Sequence, residues 1–405
     1  MAESRKVRQP TAKYLRRLEE IRGIASDLIN LHGTSGLTLS DVARALDLDT
    51  SSVTYYFKKK ELLAASCFDR TLDVMDETVS AGEKGRTPQE RVRLYLRESF
   101  GLYLRQRRSG ANRLAILSDM RALDGDIRAP LDDKVIAVFN RVAGFFDDNR
   151  SPQDAGDCAN IVISNAFWIF GWLDNYREAD IDRAYHRLCE IFEHGICPDR
   201  VTWARDVFPL EEGPEDNDAQ RRFLHAATKR INAQGYKGAS VENIAADLGV
   251  TIGSFYHHLD NKDDLVAACC DRSFELVETA QDLAVQAGGT GGDQLGRQIA
   301  TLMHHQYYGQ SPLLRMSAFQ ALPMGLRERM YARASQEAAH VAGLISDGQR
   351  DGTVVAVDPA IASQVVMTTI NAAVDVRHWS DRLPTRADPV SYADKLLHGL
   401  YRAEI

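Results

Sequence analysis

The sequence lacks the features of an enzyme, a secreted protein or a membrane protein. No P-loop, dinucleotide-binding fingerprint or nucleophile elbow occurs in its 405 residues, so we do not expect an enzyme. No apolar run follows the first residues, which argues against a signal peptide. The most apolar segment, Ala159 to Leu173, is too short to span a membrane and predicts a buried helix. These absences favour a cytoplasmic protein that does not bind membranes.

Cysteine is scarce, and its spacing forms no metal or disulfide motif. There are six cysteines and no CxxC pair, so we expect reduced thiols packed as small apolar side chains. The adjacent histidines 257–258 and 304–305 are poorly placed to share a metal ion, because neighbouring residues on a helix point in different directions. We therefore expect no metal site and no cofactor.

Basic residues are also in deficit, with 49 Lys and Arg against 57 Asp and Glu and a net charge of -8. This balance argues against a protein that coats nucleic acid through a uniformly cationic surface. The charge is uneven, however: residues 1–62 carry 11 basic against 8 acidic residues, and residues 219–265 carry 6 against 5. Two locally basic regions on an acidic body remain compatible with binding to phosphate.

The chain contains an internal repeat. When residues 25–70 are laid over residues 227–272 without a gap, 14 of 46 pairs are identical, where chance would give roughly three at average composition. Core positions vary only among apolar types, as in Val42 with Ile244 and Phe57 with Leu259. The sequence therefore predicts two copies of one module in tandem.

The second copy begins with a helix-turn-helix pattern. Ser240 is the predicted N-cap of a helix that ends near Leu248, and Gly249 permits the reversal that follows. Phe255 and Leu259 lie four residues apart and share one face of the next helix. Two helices joined by a short glycine-containing turn form the arrangement whose second helix enters the major groove of DNA.

The first copy shows the same pattern with different residues. Gly33 ends the predicted first helix, and Thr38 caps the second, with Asp41 as its capping-box partner. The recognition helix is predicted from Asp49 or Thr50 to Phe57. The basic residues before the first helix indicate a solvated tail or an arm that reaches phosphate.

Residues 226–265 resemble the TetR/AcrR family of bacterial repressors at almost every position. The resemblance implies an all-α fold in which a three-helix head precedes a larger helical domain. It also implies that this domain binds a small ligand, dimerises through its last two helices and changes the separation of the recognition helices. Two heads about 34 Å apart act together on DNA, whereas one small head binds marginally.

Because both heads lie on one polypeptide, we expect the two modules to pack as a covalent pseudo-dimer. The alternative is further self-association, with four heads in each assembly. We predict heads at residues 1–66 and 219–268, helical regulatory domains at 67–207 and 269–405, and a linker at 208–218. The linker has two prolines, a glycine and five acidic residues, so it cannot continue a helix, and it spans at most ~36 Å.

Apolar residues spaced by three or four predict that both bodies are helical. In the first body this spacing links Val92 to Tyr103, Leu114 to Met120, and Val135 to Phe146, with a final pair of helices at Gly156–Tyr176 and Ile181–His194. In the second body it predicts helices at Gln294–Tyr308, Leu313–Ala321, Gly325–Asp347, Pro359–Trp379 and Ser391–Arg402.

Outward-facing residues of the two recognition helices, with the lysine that follows each, are the predicted DNA contacts. In the first head they are Thr50, Ser51, Ser52, Thr54, Tyr55, Tyr56 and Lys60. In the second they are Thr251, Ile252, Gly253, Ser254, Tyr256, His257, His258 and Lys262. We expect bases to be read by Ser52, Tyr55, Ser254 and His257, and phosphates to be bound by Tyr56, Lys60, Tyr256, His258 and Lys262. A plain solvated helix face is the alternative.

The first head departs from the family pattern. Its turn is Asp47-Leu48-Asp49 where the second head has Gly249-Val250-Thr251, and Thr54 replaces Tyr256, which corresponds to a phosphate contact in the family. Two carboxylates near DNA repel phosphate, whereas nearby lysines attract it. Because unlike side chains read unlike bases, we expect an operator whose two halves differ.

Two clusters are candidates for binding an apolar or aromatic effector. The aromatic residues Trp168, Phe170 and Trp172 indicate core or interface packing, or a ligand-facing wall. The run 303–308, with Met316, Phe319 and Met324, indicates a packed core or a pocket. The sequence thus favours a ligand-responsive repressor that binds double-stranded DNA. The alternative is a helical ligand-binding or protein-interaction scaffold in which one or both heads no longer bind DNA.

Overall fold

The computed structural model describes residues 11–109, 114–146, 150–198, 202–210, 218–238, 240–249, 261–373 and 389–402, and the regular structure of these residues is helical. The first half contains α1 Ala12–Gly36, α2 Leu39–Ala45, α3 Thr50–Tyr56, α4 Lys60–Gly82, α5 Pro88–Ser109, α6 Gly125–Ala143, α7 Pro152–Trp172 and α8 Ile181–His194. The second contains α9 Asp218–Gly238, α10 Val241–Leu248, α11 Lys262–Gln286, α12 Gly291–Tyr308, α13 Met324–Asp351, α14 Pro359–Ala372 and α15 Pro389–His398. The predicted all-helical fold is confirmed.

Hydrogen bonds from an asparagine of each head explain why one predicted helix of each body is absent. Residues Leu114 to Met120 and Leu313 to Ala321 were predicted to be α-helical, but each segment is irregular and then forms a 3-10 helix, at Leu117–Ala122 and Met316–Ala321. The Asn30 side chain donates to the Leu114 carbonyl at 2.9 Å and accepts from the Ile116 amide at 3.0 Å. These backbone groups are therefore satisfied without helical partners.

The same bonds recur in the second half. The side chain of Asn232, which pairs with Asn30 in the repeat, donates to the Leu313 carbonyl at 2.9 Å and accepts from the Arg315 amide at 3.0 Å. Gly33 and Gly235 break the first helix of each half at nearly the same φ, 69° and 71°. Equivalent residues thus build the same local architecture twice.

The two bodies pack on each other through their last helices, and one hydrophobic core runs through both. From α7, the Asn160 amide donates to the Ala372 carbonyl at 3.0 Å and to the Tyr392 hydroxyl at 2.7 Å. At the ends of α8 and α15 the backbones pair, with the Leu400 amide donating to the Phe192 carbonyl at 2.8 Å. The halves are therefore joined by buried polar bonds as well as apolar packing.

A buried charge cluster lies in the same contact. The Lys395 ammonium from α15 is 2.6 Å from Asp154 and 3.9 Å from Asp157 on α7, and Arg150 is 3.0 Å from Asp154. Burial alone lowers the pKa of Lys395, but the bond to Asp154 and the charge of Asp157 outweigh it and raise that pKa above its usual value.

The segment that follows the first half packs against the second half at residues 203–208, before or at the start of the predicted linker. Trp203 is buried, and its indole N–H donates to Asp394 at 2.7 Å. The Phe208 amide donates to the Thr301 hydroxyl at 3.1 Å. Residues 211–217 of the linker lie outside the described residues.

Candidate nucleic-acid interface

Helix α3, the predicted recognition helix of the first head, is fixed by one fully buried side chain, Val53. The preceding helix α2 is capped as predicted: the Thr38 hydroxyl accepts from the Asp41 amide at 3.0 Å. Between the two helices Asp47 has a φ of 54°, in the left-handed region that glycine prefers. With a single apolar anchor, α3 leaves its other residues at least partly on the surface.

Three predicted contacts on α3 are exposed and three are half-buried. Thr50, Ser51 and Tyr55 are exposed, and Tyr55 shows 70% of its surface. Ser52, Thr54 and Tyr56 are half-buried, and the Thr54 hydroxyl donates to the Thr50 carbonyl at 2.8 Å. This side of the head therefore offers hydroxyl and phenol groups to a ligand.

Three tyrosines form a cluster at this surface. The ring of Tyr14, from α1, lies 4.8 Å from Tyr56 and 6.5 Å from Tyr55, measured between centroids. Sequence reasoning missed Tyr14, because its contact with α3 depends on how α1 crosses the head. The Tyr55 ring thus has two aromatic neighbours although 70% of its surface is exposed, and its contact with a base remains a prediction.

Lysines lie at the end of α3. The Lys60 ammonium donates to the Ser35 carbonyl at 3.0 Å, so it also satisfies the end of α1. Lys58 and Lys59 are exposed beside it. A phosphate contact from Lys60 remains a prediction.

The second head is described up to its turn and again from its long helix. The Ser240 hydroxyl accepts from the Asn243 amide at 3.3 Å, which confirms the predicted N-cap of α10. Gly249 has a φ of 64° at the position of Asp47. Lys262 is the first residue of α11. The other predicted contacts lie outside the described residues: Thr251, Ile252, Gly253, Ser254, Tyr256, His257 and His258.

Each head is also tied to the opposite half. The Arg121 guanidinium, from the first half, donates to the Asn232 carbonyl at 3.0 Å. In the other direction, the Arg327 guanidinium donates to the Asn30 carbonyl at 3.4 Å. The carbonyl near the end of each head's first helix is therefore held by an arginine from the other half, a link that sequence spacing could not reveal.

Two cavities open beside these links. The larger, of about 760 Å³, lies among α1, α4, α5 and α7, and the smaller, of about 450 Å³, lies among α4, α6, α7 and α9. Trp168 lines both cavities and also stacks on Tyr331 of the other half, with ring centroids 6.2 Å apart. Trp168 thus combines the two predicted roles of interface packing and a cavity wall.

Only part of the second candidate cluster is tightly packed. Met303 is fully buried, Met316 and Phe319 line a cavity of about 60 Å³, and Met316 also lines the cavity of about 450 Å³. His304, Tyr308 and Met324 are exposed, so the packed-core alternative applies to the other residues of the run 303–308. Among the residues described, no three His, Cys, Asp or Glu side chains are grouped to hold a metal ion, and no helix has the length and apolarity to cross a membrane.

Residues 223–269, which include the second helix-turn-helix, match the model for bacterial regulatory proteins of the tetR family. The HTH-type transcriptional repressor KstR of Mycolicibacterium smegmatis is 26% identical over 165 residues, which cover 35% of this chain and 80% of that repressor. These findings support a TetR-family regulator.

A second relative and two solved structures are also similar to this chain. An HTH-type transcriptional regulator in the dhlA 5′ region of Xanthobacter autotrophicus is 37% identical over 89 residues, which cover 20% of this chain and 43% of that protein. AibR, solved with isovaleryl coenzyme A and operator DNA, is 19% identical with a TM-score of 0.38, and the match covers 43% of this chain and 97% of AibR. The TetR-family regulator PfmR of Thermus thermophilus is 22% identical with a TM-score of 0.37, over 45% of this chain and 100% of PfmR.

Proposed function

We propose that the protein is a sequence-specific, ligand-responsive DNA-binding repressor whose single chain acts as a covalent pseudo-dimer on an operator with unlike halves. The main support is the packing of equivalent elements against each other. Helices α7 and α14 both begin with a proline, Pro152 and Pro359, that follows a side-chain cap. The two helices then meet across the contact, where the Asn165 amide donates to the Thr369 hydroxyl at 3.2 Å.

Contact between equivalent surfaces is the geometry of a two-fold dimer. A homodimer makes such a contact between two chains, and this protein makes it within one. The covalent link keeps the two heads at a high effective concentration relative to each other, so binding of one head favours binding of the other. One chain can then do the work for which separate subunits would have to associate.

Differences between the heads support unlike operator halves. The first head presents the exposed Tyr55, supported by Tyr14, where the second head has His257 in the aligned sequence. A phenol and an imidazole offer different donors and acceptors to base edges. Asp47 adds a negative charge to the first head where the second has Gly249. We expect weaker phosphate binding by the first head for that reason.

The cavities support ligand responsiveness. Volumes of about 760 and 450 Å³ lie within the usual range of roughly 300–1,000 Å³ for small-molecule sites. Their walls combine aromatic and aliphatic side chains with a few polar groups, which suits an apolar or aromatic effector. Asn30 and Asn232, near the ends of the heads' first helices, each line one of them.

Unbiased selection of bound DNA tests the function. We expect a salt-sensitive complex and a selected site with two different halves. Tyr55→Ala should relax the sequence preference in one half at a cost of ~1–3 kcal/mol, and His257→Ala should do so in the other half. Tyr308→Ala is the matched control, because Tyr308 is an exposed tyrosine on α12 that lies outside either head, and it should leave selection unchanged.

The outcomes separate the possible functions. A perfect inverted repeat would contradict the proposal of unlike halves. No salt-sensitive complex with any sequence would contradict DNA binding and favour a ligand-binding or interaction scaffold.

A further inference from the structure

The two large cavities share part of their walls. Met75, Ile163, Phe167 and Trp168 line both the 760 Å³ cavity, which we name the first chamber, and the 450 Å³ cavity, which we name the second chamber. These four side chains are largely apolar, and the unbranched Met75 adapts its shape easily. A ligand can therefore displace them at little cost in hydrogen bonds.

Each chamber reaches a different head. The first chamber is lined by Asp27, Asn30 and Leu31 of α1, and the second by Asn232 and Ala233 of α9. Asn30 and Asn232 are equivalent residues, and each makes the bonds that tie its head to the body. A molecule that fills both chambers therefore contacts, in each head, the asparagine that bonds that head to the body.

In the second half, two polar side chains occupy positions equivalent to those of residues that line the chambers. Helices α5 and α12 begin after equivalent threonines, so Gln306 occupies the place of Tyr103. The Gln306 amide donates to the Ile370 carbonyl at 2.8 Å, and its oxygen accepts from the Leu313 amide at 2.9 Å. These bonds join α12, α14 and the loop before the 3-10 helix.

The second of these side chains is Asn371, whose counterpart in α7 is Ser164. Asn371 donates to the Leu314 carbonyl at 3.1 Å and accepts from the Met316 amide at 3.0 Å. Ser164 is shorter and lines the second chamber, whose lining also includes Asn371. Among the described residues, the cavity that Ile370 and Asn371 line measures about 60 Å³, far below the roughly 300 Å³ of a small-molecule site.

The walls indicate the chemistry of the ligand. In the first chamber, the formal charges of two arginines and two aspartates cancel, and the remaining lining includes Leu102, Ile116 and Phe170. The second chamber is lined by Arg121, Arg128 and Arg315 against one acid, Asp132. The formal charge of its lining, three positive and one negative, favours an anionic group there.

We infer that one elongated amphipathic anion occupies both chambers, with its apolar body in the first and its anionic group in the second. The chain then binds one effector molecule, which acts on both heads. Two equivalent modules would bind two effector molecules. The effect on DNA rests on the proposed function, whereas the binding does not.

Titration with cis-parinaric acid, a fluorescent long-chain carboxylate, tests the binding. We expect one molecule per chain. Ser99→Phe, in the first chamber, and Ser164→Phe, in the second, should each weaken binding at least tenfold. Ser335→Phe, beside the small cavity, is the matched control. The hydroxyls of Ser99 and Ser335 each donate to the carbonyl four residues earlier at 2.9 Å, so both substitutions remove the same kind of hydrogen bond. The control should bind like the wild type.

The methyl ester of the same acid tests the charge. It keeps the apolar body and lacks the anion, so it should bind at least tenfold more weakly. Equal affinity of ester and acid would overturn the assignment of an anionic ligand.

Hydrogen exchange of the wild-type protein gives a result that does not depend on whether a variant folds. The probe should slow exchange at the ends of both α1 and α9. Two molecules per chain, no saturable binding, protection of one head alone, or loss of binding in Ser335→Phe with retention in Ser99→Phe would overturn the inference. Failure of the proposed function looks different, because the protein would then bind the probe and form no salt-sensitive complex with DNA.

Discussion

Asp47 occupies a backbone conformation that suits glycine. Its φ of 54° nearly equals the 64° of Gly249 at the equivalent turn. A side chain in this region costs ~1–2 kcal/mol, although aspartate tolerates it better than most residues. The first head therefore carries a small strain that the second head avoids.

We predict that Asp47→Gly changes the free energy of unfolding by between 0 and about +1 kcal/mol, because relief of strain is partly offset by the greater entropy of glycine in the unfolded chain. Gly249→Ala should lose about 1 kcal/mol or more. Urea denaturation measures both. A marked loss of stability in Asp47→Gly would show that the aspartate stabilises the turn. The same variant should bind mixed-sequence DNA more tightly, since it removes a negative charge from the head.

Glu337 is a buried carboxyl group in the second half. It is 1% exposed, and burial raises its pKa to about 7, with the neighbouring Glu278 acting in the same direction. The folded protein therefore binds more protons at this site than the unfolded chain between about pH 4.5 and 7. Its contribution to stability is present below pH 4.5 and is lost as the pH rises through 7.

Glu337→Gln should remove this dependence. Relative to the wild type, its free energy of unfolding should rise as the pH increases from about 5 to about 7 and then level off. Denaturation at several pH values across this range measures the difference, and His340→Gln, an exposed neighbour, is the control. A difference that is constant with pH would contradict the raised pKa.

At the scale of helices, the contact of α7 with α15 depends on the buried Lys395. Removing one partner of a buried ion pair leaves an uncompensated charge and typically costs ~3–5 kcal/mol. We predict a loss of this size for Lys395→Met, because Asp154 and Asp157 would remain buried beside it. Arg350 forms an ion pair with Asp347 at 3.5 Å, and its side chain is 84% exposed. Arg350→Met should therefore cost less than about 0.5 kcal/mol. Guanidinium denaturation compares the two, and equal losses would contradict the importance of the buried cluster.

The sequence predicted best the helices whose ends are set by residues close to them in the chain. The helix Ile181–His194 was predicted with its observed bounds, and the caps Thr38 and Ser240 are where the pattern placed them. Helix α7 begins at Pro152, four residues before the prediction, because Ser151 caps it by accepting from the Asp154 amide at 3.1 Å.

The 3-10 segments and the chambers could not be predicted in this way. Asn30 bonds to a loop more than 80 residues away, and the chambers depend on which side chains meet between α1, α7 and α9. Periodicity reports only which face of a helix is apolar. In contrast, the sequence did predict that the six cysteines are buried free thiols, because their spacing forms no CxxC pair.

For the whole molecule, the proposed tandem arrangement explains how the two halves can differ. Subunits of a homodimer share one sequence, so any change appears twice. In a tandem chain each half changes alone, as Asp47 against Gly249 and Ser164 against Asn371 illustrate. On the proposed account, the first half has kept the effector chambers and the second has kept the glycine turn at its recognition helix.

The mass of the complex with the selected operator tests the central proposal most directly. Light scattering or native mass spectrometry of a saturated duplex should give one 45.1 kDa chain per operator, with both halves protected in a footprint. Two chains on one operator, with each half protected by a different chain, would contradict a pseudo-dimer that works alone.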